Sequence, residues 1–178
     1  MTKARLYIYD TTLRDGQQTH GVQFSTTEKH QIAKALDVLG VDYIEGGWPG
    51  ANPTDNEFFQ SEPQLKACFT AFGMTKRTGM SAENDDVLAQ VVNAGTSAVC
   101  VVGKSHDFHV KTALGVTLAE NTENIAKTIT YLTSLGREAL FDAEHFFDGF
   151  KANPAYAIET LKAAFDAGAR WIVLCDTN

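Results

Sequence analysis

One pattern of hydrophobic and polar positions recurs along the chain: a helical repeat, a glycine, and a short apolar run typical of a buried strand. It occurs in "ALDVLGVDYIEGG", "VVNAGTSAVCVVG", "YLTSLGREALFDAEH" and "AFDAGARWIVLCDT". The glycines Gly40, Gly95, Gly136 and Gly168 suit the residue after a helix, where a left-handed backbone is favoured. The pattern therefore predicts helices that each lead into a strand.

Helix starts carry their own signals. Ser25 with Glu28, and Thr117 with Glu120, match the capping box at the first turn of a helix. Apolar residues then recur at helical spacing. We predict about five helices and six strands. The strands are expected near residues 6–9, 43–45, 68–72, 98–102, 138–141 and 171–174.

The order of these elements restricts the fold class. Apolar strands that alternate with helices belong in a parallel sheet, either an open doubly wound sheet or a closed barrel. Each predicted strand has reactive side chains at or beyond its C-terminal end, and no glycine-rich phosphate loop follows the first strand. A (β/α)8 TIM barrel collects its active site from many strand ends on one face. We predict an α/β fold of this type.

A barrel of this kind has eight strands and about 250 residues. Residues 1–178 are therefore expected to be the N-terminal part of the catalytic domain, with about the first six β/α units. The rest of the barrel and any regulatory domain are expected to lie outside this chain. The 178-residue chain alone is expected to be inactive.

Composition excludes several classes of partner. The chain is 44% hydrophobic and 21% charged, as in an ordinary globular unit, with a net charge of −7. This charge disfavours binding to nucleic acid or to an anionic membrane. Cys68, Cys100 and Cys175 have neither metal-site nor redox-pair spacing. Without a signal-like or membrane-spanning apolar run, the chain is expected to be cytoplasmic.

The stretch "YIYDTTLRDGQQTHG" places Asp10, Arg14 and Asp15 just after the first predicted strand. Neighbouring side chains on a strand point to opposite faces, so Arg14 and Asp15 can share one site only if the backbone turns there. Gly16 is expected to permit that turn. The bland alternative is a surface ion pair.

Three longer motifs carry a resemblance to a known family. "DTTLRDGQQ", "YIEGGWPGANPTDNEFF" and "DAEHFFDGFKANPAYA" resemble the 2-isopropylmalate, homocitrate and citramalate synthase family, and look most like its citramalate branch. The resemblance implies metal-dependent TIM-barrel acyltransferases that condense acetyl-CoA with a 2-oxo acid, here pyruvate, and release CoA. It also implies a homodimer and a place in isoleucine biosynthesis.

The resemblance also implies roles for individual residues. Asp15 matches a ligand of the divalent cation (Mg, Mn or Zn), and Arg14 matches the residue that stabilises the developing alkoxide or holds the oxo acid. Glu144 matches an acid near the substrate carbonyl. Thr177 matches the residue that contacts the oxo acid carboxylate, and Gln18 matches a residue that lines the same pocket. The family's remaining metal ligands, a His-x-His pair, do not occur in this chain. The residue that removes the methyl proton is not identified.

Other functions stay open at this point. A 2-isopropylmalate or homocitrate synthase would use another 2-oxo acid. A lyase of the 3-hydroxy-3-methylglutaryl-CoA type would cleave an acyl-CoA on the same barrel. A non-catalytic fragment would bind the metal ion or the 2-oxo acid at most, without turnover.

Some residues have bland alternatives. Thr177 could cap a following helix. Asp142 and Asp148 compete with Glu144. His106 and His109 could bind a metal, although surface or core histidines are commoner. Further candidates, for contacts to CoA phosphates, are Lys76, Arg77 and Lys104.

Overall fold

The computed structural model describes residues 5–61 and 63–177, and its strands form one parallel sheet. The six strands follow each other in chain order, and every neighbouring pair is parallel. They are β1 (Tyr9–Asp10), β2 (Tyr43–Gly47), β3 (Cys68–Met74), β4 (Ala98–Lys104), β5 (Glu138–Glu144) and β6 (Trp171–Leu174). The predicted succession of parallel β/α units is confirmed.

Helices follow the strands and cover one face of the sheet. They are α1 (Thr26–Leu39), α2 (Pro53–Gln60), α3 (Asp86–Asn93), α4 (Leu118–Ser134), α5 (Phe146–Ala152) and α6 (Pro154–Asp166). Shorter turns lie at Gly16–Gln18, Ala82–Asn84, Asp107–His109 and Val110–Leu114. The described residues thus hold six helices of seven residues or more, against about five predicted. Two helices follow β5 because Asn153 separates them and caps the second.

The helix boundaries follow the predicted signals. Both predicted capping boxes are present, at the start of α1 and of α4. All four predicted glycines have a left-handed backbone, with φ between 72° and 99°. Gly40, for example, adopts φ 90° and donates its amide to the last turn of α1. Local sequence therefore sets where each helix meets its strand.

Alternate strand residues form two separate apolar layers. On the helix-facing side, Phe69, Val101 and Phe141 belong to the larger core, with Ile125 and Ile129 of α4. Side chains on the opposite side form a smaller core of Tyr43, Phe72, Ala98, Cys100 and Leu140. This second layer is the interior of the incomplete barrel.

The two ends of the sheet approach each other. The rings of Tyr7 and Trp171 are 5.1 Å apart, and the Trp171 indole donates a hydrogen bond to the Tyr43 hydroxyl at 3.0 Å. These contacts join the segment before β1, strand β2 and strand β6. The sheet is therefore curled in the way that a barrel wall requires.

The prediction for the first strand was wrong in position. The paired residues are Tyr9–Asp10 rather than residues 6–9. The Asp42 carboxylate accepts the amide hydrogen bond of Ile8 at 2.9 Å, so a side chain replaces the ladder partner there. The Ile8 carbonyl still accepts the amides of Asp42 and Tyr43.

Candidate active site

A cavity of about 610 Å³ opens at the C-terminal ends of the strands. All five residues to which the family resemblance assigned a role line it: Arg14, Asp15, Gln18, Glu144 and Thr177. They come from the segments after β1 and β6 and from the end of β5. The fold therefore brings the predicted side chains to one place, as expected of a barrel rim.

The turn after β1 brings Arg14 and Asp15 to the cavity. The Thr11 carbonyl accepts the amides of Arg14 at 3.1 Å and Asp15 at 2.8 Å. The Asp10 carboxylate accepts the amide of Thr12 at 2.9 Å, an Asx turn that starts the bend. The backbone does turn here, as predicted.

The expectation about Gly16 was wrong. Gly16 has no positive φ, and a Cβ atom added there would meet the Thr12 side chain at an ordinary 3.6 Å. The bend depends on Asp10 and the Thr11 carbonyl, so glycine's conformational freedom is not needed at position 16.

Arg14 is held by three neighbours, one of which is Asp15, whose Oδ1 lies 3.3 Å from Arg14 Nη1. Its Nε donates to Glu45 Oε1 at 2.5 Å, and its guanidinium carbon lies 4.0 Å from the centre of the Phe72 ring. The Tyr9 hydroxyl donates to the other Glu45 oxygen. The Glu45 side chain is only 1% exposed and that of Arg14 is 16% exposed. The guanidinium is thus fixed at the cavity wall before any ligand binds.

Burial and charge act in opposite directions on this pair. Burial lowers the pKa of Arg14, but the carboxylates of Glu45, Asp15 and Asp142 together outweigh it and the pKa ends above its usual value. Burial raises the pKa of Glu45 even though Arg14 opposes the shift. Sequence analysis gave Glu45 no role. The available signal was a carboxylate inside the otherwise apolar strand "YIEGG".

Glu144 is paired with Lys104 across strands β4 and β5. The two residues are register partners, their side chains form an ion pair, and both line the cavity. Of the two competing acids, Asp142 also lines the cavity, whereas Asp148 forms an ion pair with Lys151 at 3.6 Å. The Lys104 ammonium, a candidate for CoA phosphates, is therefore already matched by a carboxylate.

Thr177 ties the end of β6 to the turn after β5. Its Oγ1 accepts the His145 amide at 2.9 Å, and the Cys175 carbonyl accepts the Phe146 amide at 3.2 Å. His145 is the only described non-glycine residue with positive φ, at 55°. This left-handed residue stands between the end of β5 at Glu144 and the start of α5.

Asp142 and Cys175 form a polar pair in the same cavity. The Cys175 thiol donates to Asp142 Oδ1 at 2.7 Å. Burial raises the pKa of Asp142, and the thiol and Arg14 only partly oppose this. Burial and the Asp142 charge both raise the pKa of Cys175. Sequence analysis named Asp142 only as a competitor of Glu144 and treated Cys175 as a buried thiol.

Two other predicted candidates are engaged elsewhere. The Lys76 ammonium donates to Asn124 Oδ1 at 2.6 Å and to the Met80 carbonyl at 2.8 Å. Arg77 forms an ion pair with Asp85 at 3.2 Å. The chain itself therefore accepts hydrogen bonds from the Lys76 ammonium and pairs the Arg77 guanidinium with a carboxylate.

The histidines His106 and His109 are close, with ring centres 4.8 Å apart, and the His145 ring lies 4.4 Å from His109. Within residues 5–61 and 63–177, however, no three histidine, cysteine, aspartate or glutamate side chains are arranged to hold a metal ion. The Asp15 carboxylate, 62% exposed at the cavity, offers one hard oxygen ligand. The described residues thus contain no complete metal site.

Within residues 5–61 and 63–177, no helix is long and apolar enough to span a bilayer.

The chain matches known proteins over nearly its whole length. The HMGL-like family model matches residues 5–178. An (R)-citramalate synthase of Synechocystis sp. is 51% identical over 99% of this chain and 33% of its own length. A 2-isopropylmalate synthase of Sulfolobus acidocaldarius is 30% identical, over 97% of this chain and 43% of its own. The chain therefore spans about a third of the citramalate synthase and less than half of the other.

The solved structures show the fold. The hydroxymethylglutaryl-CoA lyase from Pseudomonas aeruginosa superimposes with a TM-score of 0.76 and 14% identity, over 97% of this chain and 58% of that one. The six-stranded sheet is accordingly part of a (β/α)8 barrel, as the sequence predicted.

Proposed function

Because the chain belongs to the HMGL-like family, we propose that the protein is an acyltransferase that condenses acetyl-CoA with pyruvate and releases CoA. The observation that carries this proposal is the convergence of Arg14, Asp15, Gln18, Glu144 and Thr177 on one cavity. The 51% identity to a citramalate synthase supports pyruvate as the 2-oxo acid.

The reaction joins the acetyl methyl carbon to the keto carbon of pyruvate. Once the methyl group has lost a proton, its carbon attacks the keto carbon and negative charge grows on the keto oxygen. Hydrolysis of the thioester then gives citramalate and free CoA. The site must therefore stabilise an alkoxide and hold the pyruvate carboxylate in place.

Arg14 suits the first task. Glu45 and Phe72 hold its guanidinium in place, so its charge needs little reorganisation when the alkoxide forms. Asp15 would be one ligand of a divalent cation, Mg²⁺, Mn²⁺ or Zn²⁺, which when bound would polarise the keto oxygen. Because the described residues offer no full ligand set, the other ligands would come from outside them.

Thr177 and Glu144 suit the binding of the 2-oxo acid. The Thr177 oxygen accepts the His145 amide, which leaves its hydroxyl proton free to donate to a carboxylate. Glu144 lies beside Lys104 and would act near the substrate carbonyl. A substrate group that hydrogen-bonds with Glu144 must share it with Lys104.

We also propose the setting in which this site works. Residues 1–178 would form the N-terminal part of the barrel, in a cytoplasmic homodimer that serves isoleucine biosynthesis and binds neither nucleic acid nor membranes. The chain's share of its relatives, about a third of the citramalate synthase, supports the first point.

Thiol release tests the proposal. The protein, expressed from its complete reading frame, is assayed with acetyl-CoA and Mg²⁺ or Mn²⁺. CoA is expected only when a 2-oxo acid is added, and Arg14→Ala is expected to lose this activity. Release of acetyl-CoA from 3-hydroxy-3-methylglutaryl-CoA would favour a lyase instead. A preference for 2-oxoisovalerate or 2-oxoglutarate would favour a 2-isopropylmalate or homocitrate synthase.

A further inference from the structure

Strand β2 ends in a β-bulge beside the candidate site. Glu45 pairs in register with Thr70 of β3. The next residue of β3, Ala71, pairs with Gly47, so Gly46 is an extra residue on β2. Such an extra residue shifts the alternation of side chains between the two faces of the sheet.

The bulge decides which way Trp48 points. Cβ atoms added at Gly46 and Gly47 would both meet side chains on the helix-facing side, and the one at Gly47 would lie 2.6 Å from the Asp55 carboxyl carbon. The next residue, Trp48, then returns to the inner face and lines the cavity. Without the extra residue, strict alternation from the inward-facing Glu45 would direct Trp48 to the helices.

The buried ion pair of Lys29 and Asp55 holds the bulge. Lys29 Nζ of α1 donates to the Gly46 carbonyl at 2.9 Å and to Asp55 Oδ1. The other Asp55 oxygen accepts the Trp48 amide at 2.9 Å and the Asn52 side-chain amide at 3.0 Å. Both charged side chains are buried. One ion pair thus satisfies a carbonyl and an amide that the bulge takes out of the ladder.

Trp48 connects this arrangement to the site. Its ring packs edge-on against Phe72, with the ring centres 5.7 Å apart. The Phe72 ring also faces the Arg14 guanidinium, whose carbon lies 4.0 Å from the ring centre. Lys29 and Asp55 do not line the cavity themselves. They are therefore linked to Arg14 through two aromatic rings.

We propose that Lys29 and Asp55 are positioning residues that hold the Trp48 ring at the cavity wall. Through Phe72 they thereby keep the Arg14 guanidinium in the place where it acts. The effect on catalysis rests on the proposed function, whereas the effect on Trp48 does not. Apolar side chains of similar volume could often replace a buried ion pair without loss of stability, but they could not supply its hydrogen bonds to the bulge.

Three variants separate positioning from stability. The double variant Lys29→Met/Asp55→Leu leaves no unpaired charge buried, but the bulge loses its hydrogen bonds to the pair. Trp48→Ala removes the ring through which the pair is proposed to act. Leu132→Ala is the matched control, because it opens a cavity in the core under α4 and Leu132 does not line the site.

The first measurement is fluorine NMR of the full-length protein labelled with fluorotryptophan. The resonance that disappears in Trp48→Ala assigns the Trp48 signal. The double variant is expected to shift or broaden that signal, and Leu132→Ala is expected to leave it in place. An unchanged Trp48 signal in the folded double variant overturns the proposal.

The second measurement is kcat for CoA release from acetyl-CoA and pyruvate with Mg²⁺, at a temperature where all variants are folded. Misplacing a catalytic group by about 1 Å can cost on the order of a hundredfold, so we expect the double variant to lose roughly tenfold or more. Leu132→Ala is expected to lose less than about twofold.

The Trp48→Ala background shows whether the pair acts through the ring. There the double substitution is expected to lower kcat by less than about twofold further, because its target is already missing. A pair that only stabilises the fold would cost the same in both backgrounds. An equal loss in the two backgrounds therefore overturns the proposal.

The two readouts keep this proposal distinct from the proposed function. If no CoA is released but the double variant displaces the Trp48 signal, the proposed function fails and the positioning of Trp48 stands. If CoA is released and the signal does not move, only the positioning fails. If the double variant does not fold, Asn52→Ala replaces it, because it removes one donor from the Asp55 carboxylate and keeps both charges. Its Trp48 signal is expected to move, and an unchanged signal overturns the proposal.

Discussion

Replacing Glu45 tests whether the buried carboxylate holds Arg14 in place. Glu45→Ala leaves the guanidinium facing an apolar gap and removes the acceptor of the Tyr9 hydroxyl. Breaking a buried ion pair from one side costs about 3–5 kcal/mol. Because the Arg14 side chain keeps 16% exposure, we expect the lower end, about 3 kcal/mol.

Glu45→Gln is the matched control, because it keeps the shape and an acceptor oxygen. Hydrogen bonds to charged groups contribute about 1.5–3 kcal/mol and neutral ones about 0.5–1.5. Arg14 stays charged, so the bond of the Tyr9 hydroxyl is the one that changes from charged to neutral, and the exchange loses about 1–1.5 kcal/mol. The exchange also removes the cost of burying a negative charge. That cost is seen in the raised pKa of Glu45, which is caused first by burial. We expect a net loss near or below about 1 kcal/mol.

The assay is urea unfolding of the full-length variants at pH 7, followed by circular dichroism. Glu45→Ala is expected to unfold at clearly lower urea than Glu45→Gln, with the same slope. If both variants lose the same free energy, loss of the acceptor oxygens at position 45 has no measurable cost, and the account of Arg14 as a side chain fixed by its buried partner is refuted.

Three further predictions concern stability, each read from urea unfolding of the full-length protein. Asp85→Ala should cost about 2 kcal/mol at pH 7 because Asp85 caps α3. Burial raises the pKa of Asp85, but hydrogen bonds outweigh it and leave the pKa lowered. Its stabilisation is therefore present above about pH 4 and lost as the pH falls through the folded-state pKa, so a pH-independent loss would contradict this reasoning. Lys29→Met should cost about 3–5 kcal/mol, because it leaves the buried Asp55 carboxylate without its cation, and an unchanged midpoint would disprove that pairing. Gly149→Ala should cost about 1–3 kcal/mol, because its Cβ would lie 2.4 Å from the Ser105 carbonyl oxygen, whereas full stability would mean that α5 can shift.

Much of the fold could be predicted because its signals are local. Capping boxes and post-helix glycines depend on a few neighbouring residues, and both kinds were confirmed at the predicted positions. The start of β1 depended on a long-range contact instead. The carboxylate of Asp42, 34 residues further along the chain, takes the amide of Ile8, and no local pattern encodes this bond.

The site divides in the same way. Its members could be named from motifs, but their partners depend on strand register. The pairs of Arg14 with Glu45 and of Lys104 with Glu144 join residues 31 and 40 positions apart. Neither pair follows from spacing alone, because a shift of one residue in register would place these side chains on opposite faces. The roles of Arg14, Asp15 and Glu144 remain predictions.

Arg14 and Asp15 are adjacent in sequence but differ in freedom of motion. The guanidinium of Arg14 lies against Glu45 and Phe72, whereas the carboxylate of Asp15 is 62% exposed and makes a surface ion pair with Arg14 at 3.3 Å. Side-chain entropy is therefore lost at different moments: for Arg14 when the chain folds, and for Asp15 when a ligand arrives. Arg14 therefore gives the site a fixed positive charge, and Asp15 gives it a carboxylate that can adjust its position to a bound ligand.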